Sequence, residues 1–409
     1  MNDKPVSVAM LGISSYGHYY LATLLKEFAP GSIELRAVIS RSAESSKYYQ
    51  ELKKRKVQVF HSLSEFYESG NHAELVVISS PIHYHVPQSC EALTHGSHVL
   101  CEKPLGATVQ EAEHLIQTRD SSNRWIMIGY QWSYSEAIQA LKRDVLNGVF
   151  GKPLRLKTLC FWPRDKAYYE RNNWAGKIKD EKGSWILDSP ANNAMAHFLH
   201  NMFYVLGEKV NTSAVPVEVT AELYRAYAIE NFDSVAFRAL TEKGTELLFY
   251  ASHTIPKERG PMFCFEFERA TVSYGEFSDE IIAKDRRSEE KSYGSPEADH
   301  QFRKLFEAVA AVRESRLILC GPEAAHSQTL CVNGIQESVQ EIVSFAESMI
   351  QEDRKERRRW VRGLAEAFYD SYLKGILPSE ASFTWARLGR SVNLRGYKFF
   401  PGGIISQSS

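Results

Sequence analysis

The sequence predicts an α/β chain built in two styles: a doubly wound parallel α/β half, then an α+β half on a largely antiparallel, open sheet. Three observations carry this reading. Short apolar runs alternate with helix-length segments as far as residue 130, a glycine-bearing turn follows the first run directly, and beyond residue 150 the apolar and β-branched runs succeed one another with few helices between them. At 409 residues the chain exceeds what one hydrophobic core usually serves, so the boundaries expected are 1–130, 131–350 and a helical extension, 351–409, packing back on the body.

The first strand is VSVAML at 6–11, and Gly12, Ser14 and Gly17 then occupy the positions of a G-x-G-x-x-G fingerprint whose middle glycine is replaced. Such a turn allows a dinucleotide pyrophosphate to approach the backbone and meet the free amides of the next helix. An ordinary strand-to-helix bend has the same glycines, so the turn alone does not decide. Further strands are read at IELRAVIS (33–40), LVVISS (75–80), SHVLCEKP (97–104) and RWIMIGY (124–130), a spacing that suits right-handed βαβ units. The second strand ends in Ser40, Arg41 and Ser42, with no carboxylate to bind the adenosine ribose hydroxyls. Hydroxyls and a guanidinium favour a 2′-phosphate, so NADP is the expected cofactor and NAD the alternative. Arg41 stacked on adenine, or Glu44 replacing the missing acid, would reverse that preference. The basic run Lys53 to Lys56 reads as a solvated face.

In doubly wound sheets, ligands gather outside the carboxyl ends of the strands. Ser80, Pro81 and His85 lie there after one strand, and Glu102, Lys103 and Pro104 after the next. A lysine just beyond a buried strand is poorly explained by packing; at this edge it faces the place of a nicotinamide and a substrate hydroxyl. SPIHYH at 80–85 and GSHVLCEKP at 96–104, in this order and spacing, resemble the glucose-fructose oxidoreductase and inositol 2-dehydrogenase family, as does the turn from Gly148 to Pro153. The resemblance implies a Rossmann first half with Lys103 in the active site. It also implies a second half whose open sheet face often serves oligomer contact, so a homo-oligomer through that face is expected. It reaches about residue 350, including HSQTLCVNGIQESVQEIVSFAES at 326–348.

The stretch 160–207 is rich in aromatic, Arg and Asn residues, which suit the flat faces and hydroxyls of a polyhydroxylated ring. Arg164, Tyr168, Arg171, Asn173 and Trp174 are its substrate-contact candidates, although a covering loop needs similar anchors. A helix is expected from Asn192 onward, capped by Asn192 or Asn193, with His197 in its first turn, where the helix dipole disfavours imidazolium. The family pattern Asp-x-Gly-x-His-x-x-Asp aligns its histidine with His197, its leading aspartate with Asn193, its glycine with Met195 and its trailing aspartate with His200. Asn193 and His200 accordingly join the substrate-binding candidates. Asp188 offers a carboxylate nearby that the sequence does not place. His197 and His200 lack the further ligands a metal needs, and none is expected. EDRKERRRW at 352–360 reads as a solvated helix face, and the Ser-rich end after Gly402 is expected to fray.

Forty-nine basic against fifty acidic residues leave a formal charge of −1, which argues against nucleic acid or an anionic membrane as partner. No run approaches a membrane span, no secretion signal opens the chain, and the six cysteines form no CxxC pair, so a cytoplasmic location is expected. The combined expectation is an NAD(P)-dependent oxidoreductase moving hydride between nicotinamide and a hydroxyl-bearing carbon of a sugar, inositol or related polyol. Lys103 would polarise the oxygen and His197 would take its proton; Gly12, Ser14, Gly17, Ser40, Arg41, Ser42, Ser80, Pro81, His85, Glu102 and Lys103 would hold the cofactor. Glycoside cleavage by transient oxidation and a non-catalytic sugar or dinucleotide sensor are the rival readings.

Overall fold

Runs of branched apolar residues in the first half become strands, and those at 6–11, 75–78 and 126–128 are buried along their whole length, as βαβ crossovers require. The computed structural model describes residues 4–314 and 316–402; the Ser-rich end after Gly403 lies outside them. The chain begins β1 (Val6–Leu11), α1 (Gly17–Lys26), β2 (Ile33–Ile39), α2 (Tyr49–Lys54), β3 (Gln58–Phe60) and α3 (Leu63–Glu68). It continues through β4 (Leu75–Ile78), α4 (Ile82–Thr94), β5 (His98–Cys101), α5 (Val109–Ser122) and β6 (Ile126–Ile128). These strands form one parallel sheet in the order β3-β2-β1-β4-β5-β6. The order reverses direction between β1 and β4, which opens a crevice outside their carboxyl ends. Thr108 and Glu111 start α5 with a reciprocal capping box.

The second half follows with α6 (Glu136–Leu146), β7 (Pro153–Phe161), α7 (Lys166–Glu170), α8 (Ala196–Val205), β8 (Pro216–Arg225), β9 (Ser234–Thr241) and β10 (Glu246–Ser252). Next come β11 (Arg259–Phe267), β12 (Ala270–Tyr274), β13 (Ile282–Asp285), β14 (Glu290–Ser292), α9 (Arg303–Arg313) and α10 (Pro322–Ser338). The remaining elements are β15 (Val343–Ser344), β16 (Ile350–Asp353), β17 (Arg358–Val361), α11 (Leu364–Lys374) and β18 (Val392–Asn393). A ten-stranded sheet runs β14-β13-β12-β11-β7-β10-β9-β8-β15, with β18 also on β8; it is antiparallel except where β7 meets β10 and β8 meets β15. Helix α9 turns back and packs on β1, β4 and β5 of the first sheet.

The faces of the large sheet separate by the two-residue period of its strands. Along β10, Leu247, Phe249 and Ala251 point into the main core, while Leu248 and Tyr250 join a second core with Leu159, Phe161, Tyr224 and Met262. The chain's own C-terminal segment covers that second core with Phe345, Val361, Leu364, Phe368, Tyr372 and Leu377. This corrects the expected open face. The central outer surface of the sheet is buried within one chain.

The extension is also less helical than expected. Residues 350–361 form a hairpin with Glu352 opposite Arg359 and Asp353 opposite Arg358. A helix would stack Glu352 on Glu356, Arg354 on Arg358 and Lys355 on Arg359, all like charges four residues apart, so the hairpin resolves a repulsion that the helix would create. Beyond α11 the chain crosses β8 and reaches the first half, where Gln110 and the Phe400 backbone exchange bonds of 3.2 and 3.0 Å.

Candidate active site

Backbone bonds align the carboxyl ends of five neighbouring strands, β3, β2, β1, β4 and β5. Gly12 N donates to Ile39 O (3.0 Å), Ser79 N to Leu11 O (2.9 Å), Glu102 N to Ile78 O (2.8 Å) and Ser40 N to Phe60 O (2.8 Å). Gly12 has φ +78°, and a Cβ there would lie 2.5 Å from Ser79 O; one on Gly17 would lie 2.0 Å from Gly12 O. Both glycines are therefore required by close backbone approach, and the turn delivers the chain into the ten-residue helix α1. Ser14 is exposed, and its hydroxyl lies 3.3 Å from Ser42 Oγ, which is itself 3.4 Å from Ser40 Oγ. Arg41 is exposed beside them, while Glu44 turns away and accepts from Tyr49 Oη at 3.2 Å. This donor-rich edge, with its open backbone turn, fits a dinucleotide phosphate arm.

Ser80 and Pro81 are half-buried at the start of α4, and Ser80 Oγ donates to Gln88 at 2.6 Å. His85 and Glu102 depart from the expected cofactor contact. The buried His85 ring lies between two carbonyls, Nδ1 2.8 Å from Pro104 O and Nε2 2.9 Å from Ser80 O, so it braces two loops to each other. Glu102 is buried beneath the site, bonded by Tyr20 Oη (2.6 Å) and ion-paired with Lys304 of α9. Lys304 also donates to Gly129 O at 3.0 Å. The Glu102 carboxyl is lowered by the Lys304 and Lys103 cations despite its burial, which opposes ionisation. Sequence reasoning missed Lys304. Its signal was a lysine on the apolar stripe of α9 shared by residues 304, 308 and 311.

The next residue, Lys103, reaches across to the second half. Its Nζ donates to Asn193 O (2.7 Å) and Asn193 Oδ1 (2.9 Å). Burial drives its pKa down to about 8, with Lys304 and Arg171 adding to the fall and Glu102 and Asp188 opposing it. Asn193 does not cap α8, whose N-cap is Met195, because its side chain is committed to Lys103 and to Asp188 Oδ1 at 2.7 Å. His197 is the second residue of α8, and its Nδ1 is buried without a hydrogen-bond partner among the described residues. Burial first, and then the Lys103 and Lys304 charges, hold its imidazole pKa well below 6.5. His197 is thus neutral where Lys103 is still largely charged.

His200 is fully buried instead of facing substrate. It stacks on Tyr130 (3.9 Å between centroids) and bonds Ser133 Oγ at 2.9 Å in the core beneath α8. The covering-segment candidates divide as well. Arg171 stacks over Tyr168 at 3.7 Å and over Trp174 at 5.2 Å, and its charge is felt at Lys103 and Asp188. Asn173 is exposed. Arg164 and Tyr168 line a cavity of about 750 Å³ with Glu356 and Arg358, and no hydrogen bond joins them to Lys103, Asn193 or His197 among the described residues. A second cavity of about 690 Å³, bounded by Tyr169, Gly176, Tyr227, Arg357 and Arg359, likewise excludes Lys103 and His197. Among the described residues, no group of three His, Cys, Asp or Glu side chains is placed to hold a metal, and no helix is long and apolar enough to cross a membrane.

A reversing parallel sheet, a glycine turn into a helix and a donor-lined edge define the class of the first half: an NAD(P)-binding Rossmann fold. Residues 6–130 match the model of the GFO_IDH_MocA family, described as an oxidoreductase family with an NAD-binding Rossmann fold. Two uncharacterized oxidoreductases of Schizosaccharomyces pombe are 29% and 24% identical to this chain over 38% and 54% of it. The chain spans 41% and 55% of their lengths, or about half. A glycosyl hydrolase family 109 protein of Shewanella putrefaciens is 29% identical over 29% of this chain and 24% of its own. Among solved structures, the WlbA dehydrogenase of Bordetella pertussis, in complex with NADH and UDP-GlcNAcA, superposes with a TM-score of 0.66 at 16% identity, covering 82% of this chain and 98% of its own. The aldose-aldose oxidoreductase of Caulobacter crescentus, complexed with glycerol, gives 0.64 at 16%, covering 81% and 96%. At these identities the likeness shows the fold.

Proposed function

We propose that the chain transfers hydride reversibly between a nicotinamide cofactor, NADP in preference to NAD, and a hydroxyl-bearing carbon of a sugar, inositol or related polyol. One observation carries the reading: Lys103, at the carboxyl edge of the parallel sheet, bonds Asn193 in the turn leading into the helix that carries a neutral His197. When bound, the cofactor supplies the hydride chemistry. Gly12 and Gly17 keep its pyrophosphate close to the backbone, and Ser14, Ser40, Arg41 and Ser42 take its adenosine end. Lys103, with one ammonium hydrogen beyond the two given to Asn193, donates to the substrate oxygen and stabilises negative charge developing there. His197 accepts the hydroxyl proton in the oxidative direction, since burial keeps its ring unprotonated. Arg171, whose charge acts on Lys103, and Trp174, stacked with it, are the covering-segment groups assigned to substrate contact.

The test is a panel of polyols, sugars and nucleotide sugars offered with each cofactor, read by absorbance of the reduced form. Nucleotide sugars belong in it because a structural neighbour was solved with one. Accumulation of reduced cofactor supports the proposal. Release of an aglycone without net reduction would instead favour glycoside cleavage, the reading suggested by the match to a glycosyl hydrolase family 109 protein. Tight binding of cofactor and sugar with neither product would favour a sensor.

A further inference from the structure

We infer that Asp188 is a positioning residue: by holding the Asn193 amide in one orientation it aims the Lys103 ammonium at the cleft. The inference rests on the reading of Lys103 as the group that meets substrate. Asp188 is 2% exposed, and its two oxygens have separate tasks. Oδ2 accepts from Gly176 N at 2.6 Å, anchoring the covering segment, and Oδ1 accepts from Asn193 Nδ2 at 2.7 Å. Asn193 Oδ1 is then left to accept from Lys103 Nζ at 2.9 Å.

An asparagine amide is nearly symmetric in shape but not in chemistry, and its neighbours decide which way it points. Turned over, Asn193 would set its NH2 against the Lys103 ammonium and its carbonyl against the Asp188 carboxylate. Both contacts would become repulsive. Only an acceptor-only group at 188 satisfies Gly176 and Asn193 together, and an ionised carboxylate is that group. Burial raises the Asp188 carboxyl above the usual carboxylate range, while the Gly176 bond, the Arg171 charge, the Asn193 bond and the Lys103 charge each favour its ionised form. The charges that face Lys103 are Glu102 on its own strand end, Lys304 from α9, Asp188 and Arg171. The relay gives this chain, with asparagine at 193, a carboxylate one residue removed from the lysine.

The same chemistry dictates a reciprocal exchange. In Asp188→Asn the new amide must give its oxygen to Gly176 N–H, so its NH2 faces Asn193 and turns that amide over. Adding Asn193→Asp restores an acceptor to both the new amide and Lys103. The experiment is competitive acylation of Lys103 in the full chain, followed across pH by mass spectrometry, with kcat and cofactor KM measured on whichever substrate the panel yields.

Asp188→Asn is expected to lower the Lys103 labelling midpoint by at least about half a pH unit, since it removes a negative charge and an acceptor. It is expected to reduce kcat by about tenfold or more, with cofactor KM within about twofold. The exchange variant is expected to return kcat to within about threefold of the parent and raise the midpoint above it, because a carboxylate then touches Lys103 directly. A parental midpoint in Asp188→Asn, or an exchange variant no better than the single one in midpoint and kcat, overturns the inference. The midpoints are read without turnover, so the expected shifts combined with an inactive substrate panel would uphold the positioning and reject the reaction proposed above.

Discussion

The two ends of the site are built on opposite principles. At the Gly12–Gly17 turn and the Ser40–Ser42 edge, the groups are backbone amides, small hydroxyls and an exposed guanidinium, bonded loosely to one another at 3.3 and 3.4 Å. At the Lys103 end, Lys304, Glu102, Tyr20, Lys103, Asn193 and Asp188 form an interlocked buried set. The exposed end keeps its donors free for a ligand, and water screens its charges. The buried end commits its donors to one another, and each charge there shifts its neighbours. In the function proposed above, the first therefore governs which cofactor is chosen, and the second governs stability and chemistry together.

The contrast breaks first, if it breaks, at Lys304. Lys304→Met leaves Glu102 buried without its cation, and the unfolding free energy is expected to fall by about 3–5 kcal/mol. Urea denaturation of parent and variant measures this, and a loss below 1 kcal/mol would show that the pair is solvated in solution. Lys103→Met comes next, with turnover down by about 100-fold and cofactor affinity nearly intact. The same variant is expected to fold at least as stably as the parent, because burial disfavours the ammonium that it removes. Loss of cofactor binding in step with turnover would place Lys103 at the other end of the site.

Arg41→Ala addresses the exposed end. Fluorescence titration at fixed salt is expected to show NADP binding weakened by roughly tenfold, the loss of one charge-assisted bond, with NAD little changed. Equal losses for both cofactors would assign Arg41 to stacking on adenine. The smallest effect is the pH dependence of kcat/KM. Lys103 titrates at about 8, lowered from 10.5, so its cation is complete below pH 7 and lost as pH rises; the rate should halve near pH 8. His197, held well below 6.5, is already neutral there and adds no acid limb near the free imidazole value of ~6.5. A limb near 6.5 that disappears in His197→Asn would mean that water reaches this histidine.

Much of this contrast was legible before folding. The positions of Gly12, Gly17, the Ser-Arg-Ser strand end and Lys103 at the carboxyl ends of strands were readable because a strand-helix turn and a strand terminus are local patterns, legible within about ten residues. The Asn193 cap, the His200 contact and the cofactor contacts of His85 and Glu102 were misread for the converse reason. Each of those side chains has a neighbouring surface, but its partner comes from elsewhere in the chain, and hydrogen-bond satisfaction overrides local preference. The outer sheet face shows the same limit. The apolar run LLFYA in β10 announces burial on both faces, yet nothing in it tells whether a second copy or residues 345–377 provide the cover.

By itself the sequence determined the alternation of strands and helices, the glycine turn and the placing of a lysine at a strand's carboxyl end. These follow from side-chain period, backbone sterics and the handedness of crossovers, all of which act over short stretches. The tertiary structure alone decided that Glu102 meets Lys304 across 202 positions and that Lys103 meets Asn193 across 90. It also decided which titratable groups lose water. The physical reason is the same for both outcomes: electrostatic energy depends on distance and burial in space, and these are set only when the two sheets and the helices between them close on one another.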